Sequence, residues 1–282
     1  MLRVAVPNKG SLSEAATDIL TEAGYKQRRS TKDLALTDTA NEVEFYYLRP
    51  RDIAVYVGEG TLDVGISGRD LVLDSHADAE VIVELGFGAS TFRFAGPPGV
   101  ADSVKDLSGK RVATSYAGVL KDHLAENGVE ASVVRLDGAV ESAVQLGVAD
   151  VIADVVETGT TLRQAGLEVF GDPILRSEAV LIKRQGVETP PNGLDQLVRR
   201  LQGVLVARNY VMMDYDIRGE AVDAANEVAP GLESPTVSPL HREGWVAVRV
   251  MVPRAEAQRI MDQLWDIGAR AILTTDIHAC RI

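Results

Sequence analysis

Cysteine is almost absent from this chain of 282 residues, in which Cys280 is the single thiol. An internal disulfide and a cysteine-rich zinc site are therefore excluded. The four histidines stand singly and lack the HxxxH or HExxH spacing of metalloproteases. Three other motifs are missing: GxGxxG after the first strand, GxxxxGKS/T and GxSxG. Nicotinamide dehydrogenases, P-loop enzymes and hydrolases of the GxSxG type therefore lose their usual support.

Aromatic and basic residues are also scarce. Aromatic residues make up 5% of the chain against 46% apolar residues, a balance that favours α/β packing over an aromatic-rich β-sandwich. Lys and Arg number 29 and Asp and Glu 41, so the net charge is 29 − 41 = −12. An acidic chain without a membrane-length apolar run or a signal-peptide core is expected to be a cytoplasmic protein that binds neither nucleic acid nor membrane.

Short apolar strands alternate with amphipathic helices in the N-terminal part. Leu2–Val6 and Val43–Leu48 are predicted strands, and a predicted helix from Ser11 to Ala23 lies between them, with Gly24 as its end. Strands separated by helices indicate a mostly parallel sheet and the α/β class.

An internal repeat divides this part in two. The pattern RVA-x4-G-x-L occurs from Arg3 to Leu12 and again from Arg111 to Leu120, and G-x-x-D-V occurs at both Gly60 and Gly147. Chance matches among Ala-, Val- and Gly-rich segments are the alternative to duplication. Duplication predicts two similar α/β lobes, like those of periplasmic binding proteins, with a ligand cleft between them.

The C-terminal part has another order. A Pro- and Gly-rich loop, 185–193, precedes a predicted amphipathic helix, Leu194–Arg208. From Tyr210 onward the predicted order is βαββαβ, that of a ferredoxin-like module. By analogy of folds, such a module appended to an enzyme is often a regulatory ligand sensor.

One strand and the loop after it carry the strongest chemical signal. Val148–Val156 is a predicted strand, and the loop Glu157–Thr161 leads from it into a helix. Backbone N–H groups and hydroxyls at such a helix start bind phosphate, and Gly159 allows close approach of the backbone. Asp154 and Glu141 are placed to accept hydrogen bonds from sugar hydroxyls, so the pattern indicates a ribose-phosphate site. A plain capped turn is the alternative.

The residues from Glu141 to Leu162 follow the pattern E-x5-G-x-A-x2-I-x-D-V-x2-T-G-x-T-L. This pattern resembles the signature of the ATP phosphoribosyltransferase family of histidine biosynthesis. The resemblance extends over nearly the whole chain and includes the extra domain of the long, self-regulated form, in its actinobacterial type. The other stretches that carry it are PNKGSLSE, YYLRPRDIAVYVGEGTLDVGISGRDL, GKRVATSY, GLESPTVSPL and ARAILTTDI.

The resemblance implies an activity and its ligands. The family transfers a 5-phosphoribosyl group from phosphoribosyl pyrophosphate (PRPP) to N1 of ATP, with Mg²⁺, and releases pyrophosphate. It also implies feedback inhibition by L-histidine, AMP as a further possible ligand, and homo-oligomers from dimer to hexamer. No general base is assigned, because adenine N1 has a free lone pair at neutral pH.

The resemblance also assigns residues to three sites. The PRPP site comprises Glu141, Asp154, Val155, Val156, Glu157, Thr158, Gly159, Thr160 and Thr161. The nucleotide and pyrophosphate site comprises Lys9, Gly10, Arg49, Asp70 and Tyr116. The histidine site comprises Asp216, Leu232, Ser234, Thr236 and Ala271. Ordinary roles compete with these assignments: a solvated loop for Lys9, an ion pair with Arg69 for Asp70, packing for Tyr116, and surface loops for Asp216 and the turn beside it.

Three domains are expected from the sequence and the resemblance together. They are lobe I (1–90 and 185–209), lobe II (91–184) and the regulatory domain (210–282). Two other functions compete: a two-lobed small-molecule binding protein without catalysis, and a noncatalytic regulatory subunit of such a transferase.

Overall fold

The computed structural model describes residues 1–156 and 159–281. The chain divides into two compact units. The first unit contains Met1–Thr21 and Tyr25–Asp195, and the second contains Glu22–Gly24 and the residues from Gln196 onward. Within the described residues, no helix is long and apolar enough to cross a membrane.

The first unit begins with alternating strands and helices. Its first half contains β1 (Leu2–Pro7), α1 (Ser11–Glu22), β2 (Ala35–Asp38), β3 (Val43–Leu48), α2 (Pro50–Gly58), β4 (Val64–Gly68), α3 (Arg69–Ser75) and β5 (Ala79–Glu84). Its second half contains β6 (Ser90–Gly96), β7 (Arg111–Thr114), α4 (Ala117–Glu126), β8 (Ser132–Arg135), α5 (Ser142–Gln145), β9 (Val151–Val156), α6 (Thr160–Gln164), β10 (Glu168–Ser177) and β11 (Ala179–Arg184). The α/β class is confirmed.

The strands of this unit form two sheets of similar topology, and β11 of the second half belongs to the sheet of the first half. The strand orders are β2-β3-β1-β4-β11-β5 and β10-β6-β9-β7-β8. In each sheet three parallel strands, β3-β1-β4 or β8-β7-β9, lie beside an antiparallel strand, β11 or β6. The expectation of mostly parallel sheets therefore holds only for these three neighbouring strands of each sheet.

The internal repeat is confirmed by equivalent contacts at the start of the first strand of each lobe. Arg3 Nη2 lies 3.0 Å from Asp63 Oδ1, and Arg111 Nη2 lies 2.8 Å from Asp150 Oδ1. The backbone N–H groups of both arginines also donate to the same aspartates, at 2.8 Å in each case. The second motif of the repeat, G-x-x-D-V, thus supplies the partner of the first motif in both lobes.

The boundary between the lobes differs from the predicted one. The sequence analysis places residues 91–184 in lobe II, but β11 pairs with β4 and β5 in the first sheet. The chain therefore crosses between the lobes twice, after β5 and after β10. The sequence analysis predicted a return to lobe I only after residue 184, because β11 is an apolar strand that fits either sheet. The assignment of residues 185–209 to lobe I stays a prediction.

Several element bounds also differ from the prediction. The predicted helix over 139–146 is only α5, and the strand predicted from Val148 begins at Val151. The short strand β2 was not predicted. Pro50 begins α2, where its missing N–H leaves no helical hydrogen bond unmade.

The second unit contains the ferredoxin-like module. Its helices and strands are α7 (Leu194–Asn209, within this unit from Gln196), β12 (Tyr210–Arg218), α8 (Val222–Val228), β13 (Thr236–Pro239), β14 (Trp245–Pro253), α9 (Ala257–Asp266) and β15 (Arg270–Asp276). The antiparallel sheet has the order β13-β14-β12-β15, and α8 and α9 contribute to the core on one of its faces. The predicted βαββαβ module is confirmed.

Candidate functional site

Three loops of the first lobe meet at one edge of its sheet. They follow the carboxyl ends of β1, β3 and β4, which are adjacent parallel strands. Asn8 donates its N–H to the carbonyl of Leu48 at 2.8 Å, so exposed Lys9 and Arg49 follow paired strand ends. Asp70 follows β4 at the same edge. In open α/β sheets ligands bind at this edge.

The second lobe presents an equivalent edge. Tyr116 follows β7, and Gly159 follows β9 beyond the undescribed residues Glu157 and Thr158. Tyr116 lies beside Asp70 of the first lobe, and burial and the charge of Asp70 raise the pKa of the Tyr116 hydroxyl. Asp70 and Tyr116, one candidate residue from each lobe, are therefore neighbours at the predicted cleft between the lobes.

A pocket of about 320 Å³ lies beside β9 and α6 in the second lobe. Its described lining residues are Glu141, Asp154, Val155, Val156, Gly159, Thr161 and Leu162. Six of these seven are among the predicted PRPP residues, and Leu162 is the last residue of the signature. Thr160 begins α6 with an exposed side chain, and Glu157 and Thr158 lie outside the described residues.

Asp154 is a carboxyl group of this pocket with a raised pKa. Burial raises its pKa, the N–H of Val155 lowers it by donating to Oδ1 at 2.8 Å, and the charge of Glu141 raises it. Asp154 and Val156 share one face of β9, whereas Val155 packs into the core of the opposite face. Val155 therefore contributes its backbone rather than its side chain.

The loop before α6 has the expected glycine conformation. Gly159 has φ of 67°, in the left-handed region that side chains rarely adopt. However, α6 has only five residues, so its dipole is weak. The described polar donors of this loop are the N–H groups and hydroxyls of residues 159–161.

Tyr116 contacts both lobes. Its ring lies 5.3 Å from the ring of Phe92 and 5.0 Å from the guanidinium of Arg51. Burial is the main cause that raises the pKa of its hydroxyl, and the charges of Asp70 and Asp154 raise it further. Both readings of Tyr116, packing and a position in the cleft, are consistent with the structure.

Sequence reasoning missed the residues that join the lobes around this site. Asp74 accepts a hydrogen bond from the N–H of Gly118 at 2.8 Å and binds Arg51 at 2.6 Å. Ser177 contacts Asp70 across 107 residues of sequence. The expected ion pair between Arg69 and Asp70 is wrong, because Arg69 pairs with Glu84. No local sequence pattern marks these contacts, since their partners are distant in the chain.

Family models match both units of the chain. The model described as ATP phosphoribosyltransferase matches residues 49–203, more than half of the chain. The chain belongs to the ATP phosphoribosyltransferase family. A second model, for the C-terminal domain of this family, matches residues 207–279 and so covers the ferredoxin-like module.

Curated relatives extend the ATP phosphoribosyltransferase match to the full length. The ATP phosphoribosyltransferase of Arthrobacter sp. is 66% identical over 286 aligned residues, with 100% of both chains covered. That of Streptomyces coelicolor is 67% identical over 285 aligned residues, again with 100% of both covered. A solved chain, titled as the ATP phosphoribosyl transferase (HisG:HisZ) complex from Thermotoga maritima, is 26% identical with a TM-score of 0.62. It covers 72% of this chain and 97% of its own.

The ATP phosphoribosyltransferase resemblance assigns five residues to the histidine site, and they lie on or next to different strands of the module's sheet. Asp216 on β12 pairs with Arg270 at a register shift of β15, and neighbouring Ala271 has a left-handed φ of 50°. Thr236 lies on β13. Strand β14 lies between β13 and β12, so two strand spacings, about 10 Å, separate β13 from β12. Leu232 and Ser234 precede β13. The structure thus places Ala271 next to the strand partner of Asp216, but it does not bring all five residues together.

Proposed function

We propose that the chain transfers the 5-phosphoribosyl group of PRPP to N1 of ATP and releases pyrophosphate. As a member of the ATP phosphoribosyltransferase family, with full-length relatives of that name, the chain is a transferase of the first step of histidine biosynthesis. The observation that carries the detailed proposal is the pocket in which the carboxylates of Glu141 and Asp154 adjoin the loop at Gly159.

The proposal assigns the two kinds of polar group in this pocket to two parts of PRPP. Carboxylates repel phosphates but accept hydrogen bonds from hydroxyls, so Asp154 and Glu141 bind the ribose hydroxyls. The loop N–H groups and the hydroxyls of Thr160 and Thr161 bind the 5-phosphate. Residues 155–158 complete the proposed site.

Positioning and charge compensation carry the proposed chemistry. Adenine N1 attacks C1 of the ribose with its own lone pair, so no protein base is required, and no histidine is among the described lining residues of the pocket. Lys9 and Arg49, with the backbone at Gly10, hold the pyrophosphate and nucleotide at the edge of the first sheet. Asp70 and Tyr116 line the same cleft, where bound substrates exclude water.

The donor set of the pocket fits Mg²⁺. The described residues contain no group of three or more His, Cys, Asp or Glu side chains arranged to hold a metal ion. Two carboxylates, Glu141 and Asp154, line the pocket together. Mg²⁺ is commonly bound by one or two carboxylates, water and substrate phosphates, so this pair suits an ion that arrives with PRPP. When bound, the ion supplies neutralising charge to the pyrophosphate leaving group.

The proposal includes regulation and assembly. L-Histidine, and AMP as a further ligand, would inhibit the enzyme, with histidine bound at Asp216, Leu232, Ser234, Thr236 and Ala271. Homo-oligomers from dimer to hexamer and a cytoplasmic location belong to the same proposal. The left-handed Ala271 beside Asp216 supports a ligand role there, because strained backbone concentrates at functional sites.

Two glycines at the ends of α6 provide the test of the PRPP site. Gly159 and Gly166 have φ of 67° and 72°, so alanine strains the backbone similarly at both positions. Only Gly159 lines the pocket. We expect Gly159→Ala to raise the Kd for PRPP about tenfold or more, and Gly166→Ala to leave it within about twofold while lowering Tm similarly.

Calorimetric titration of each variant with PRPP and Mg²⁺ measures the Kd for PRPP. An equal loss of PRPP affinity in both variants would assign the effect to backbone strain and contradict the proposed cradle. The variant Asp154→Asn is a second test of the site. It should raise the Kd for PRPP and leave the Kd for ATP unchanged.

A further inference from the structure

Asp70 and Ser177 form a reciprocal pair at the lobe boundary. The N–H of Asp70 donates to Ser177 Oγ at 3.0 Å, and the Ser177 hydroxyl donates to Asp70 Oδ1 at 2.9 Å. Each residue is only 7% exposed. A serine hydroxyl that accepts one hydrogen bond and donates another to the same residue fixes both the backbone and the carboxylate of that residue.

Ser177 belongs to the second crossing between the lobes. It is the last residue of β10 and pairs with Ser90 in the second sheet. The next residue, Glu178, accepts the N–H of Arg69 through its carbonyl at 3.0 Å. The first two N–H groups of α3 are therefore bound by the crossing segment, and Asp70 is tied to both lobes.

Gly68 leaves the space that the Asp70 carboxylate occupies. A Cβ atom at residue 68 would lie 2.3 Å from Asp70 Oδ1. The backbone of Gly68 has φ of −77° and ψ of 140°, which any residue adopts. Glycine is thus needed here for room rather than for conformation, and two independent features hold the carboxylate in one place.

The fixed carboxylate adjoins the candidate cleft, because a residue of the second lobe lies beside it. That residue is Tyr116, and besides burial the charges of Asp70 and of Asp154 in the PRPP pocket both raise the pKa of its hydroxyl. A carboxylate among sites for polyanions is suited to accept hydrogen bonds from neutral donors, since it repels phosphates. The nucleotide substrate carries such donors in its amino and hydroxyl groups.

We propose that Ser177 is a positioning residue that holds Asp70 as a hydrogen-bond acceptor for the amino or hydroxyl groups of the nucleotide. This inference rests on the proposed function. Ser177 acts only through Asp70, and Gly68 serves the same end by leaving room.

A matched pair of serine variants tests the proposal in the full-length chain. Ser67 is also buried, at 0% exposure, and its hydroxyl donates to the carbonyl of Pro50 at 2.9 Å. Ser67→Ala and Ser177→Ala each remove one buried hydroxyl, so both should lower Tm. Only Ser177→Ala should raise the Kd for ATP, about tenfold, with the Kd for PRPP unchanged. Gly68→Ala should reproduce this selective effect, and Ser177→Thr, which keeps the hydroxyl, should restore part of the affinity.

A double-mutant cycle isolates the action through Asp70. In the Asp70→Asn background, Ser177→Ala should change the Kd for ATP by less than about twofold. An undiminished effect in that background, or an equal effect of Ser67→Ala, overturns the proposal. Binding is read by calorimetry, so a chain that binds ATP but releases no pyrophosphate would overturn the proposed reaction and leave the role of Ser177 to be decided by the cycle.

Discussion

Asp150 forms an ion pair with Arg111 at the start of β7. Asp63 forms the equivalent ion pair with Arg3 at the start of β1. Hydrogen bonds from the Arg111 side chain and backbone lower the pKa of Asp150 to about 2. Because the folded pKa lies below the unfolded value of about 3.9, the pair stabilises the fold fully above pH 4. This stabilisation is lost as the pH falls towards 2.

Asp150→Asn should therefore lower the free energy of unfolding at pH 7 by a small amount, since both side chains are more than one-third exposed. The difference from the unchanged chain should shrink as the pH falls from 5 to 2.5. Urea denaturation across this range measures it, with exposed Asp137→Asn as the control. A difference that stays constant with pH would contradict the ion-pair account.

At single positions, sequence reasoning succeeded where chemistry and spacing coincide within a short segment. Glu141, Asp154, Gly159 and Thr161 were predicted together and line one pocket. Ser177 could not be found in this way, because its role depends on a contact with a residue 107 positions away. The roles of the predicted residues in binding stay predictions.

The start of α4, in the second lobe, forms hydrogen bonds with α3 of the first lobe. Asp74, near the end of α3, accepts the N–H groups of Gly118 and Val119 at 2.8 and 3.3 Å. A Cβ atom at residue 118 would lie 2.4 Å from the carbonyl oxygen of Asp74 and 2.9 Å from His76 Cε1. The two helices can approach this closely only because residue 118 is a glycine.

The Gly118→Ala variant therefore distinguishes two effects that change the free energy of unfolding in opposite directions. Helix propensity alone predicts that alanine stabilises α4 by up to about 1 kcal/mol. The close approach predicts destabilisation by about 1–3 kcal/mol, because backbone atoms of α3 must shift. Urea denaturation should give the second result, and Gly219→Ala, whose nearest contact is at 3.8 Å, should change stability little. A stabilised Gly118→Ala variant would contradict the described contact between α3 and α4.

At the element scale, strands that alternate with helices were predicted more reliably than short irregular elements. β3 was predicted with its observed bounds, whereas α5 proved shorter than its apolar pattern suggested. Tertiary contacts set the ends of such short helices, and a local pattern does not contain them.

For the whole molecule, the proposed function joins a catalytic unit to a sensor module. Asp216 lies half-buried on β12 of the module, beside the left-handed Ala271. We expect Asp216→Ala to abolish inhibition by L-histidine and to keep the uninhibited rate, because Asp216 lies outside the catalytic unit. Initial rates at increasing histidine concentration measure this, with exposed Asp223→Ala as the control. Unchanged inhibition in Asp216→Ala would remove this residue from the proposed histidine site.

Architecture at this scale could be predicted because duplication repeats whole motifs. The repeat of Arg3 and Asp63 as Arg111 and Asp150 marked two lobes correctly. The strand at which the chain returns to the first lobe could not be predicted, because the antiparallel positions beside β4 and β9 accept any apolar strand of suitable length.

Release of pyrophosphate in the presence of ATP, PRPP and Mg²⁺ tests the central claim most directly. The account predicts that pyrophosphate release requires both ATP and PRPP, also when pyrophosphatase is added to remove the product. It predicts that this release falls when L-histidine is added. Release that requires both substrates but ignores histidine would retain the transferase and contradict the sensor role of the C-terminal module. A folded chain that binds PRPP and ATP without releasing pyrophosphate would contradict the proposed reaction itself.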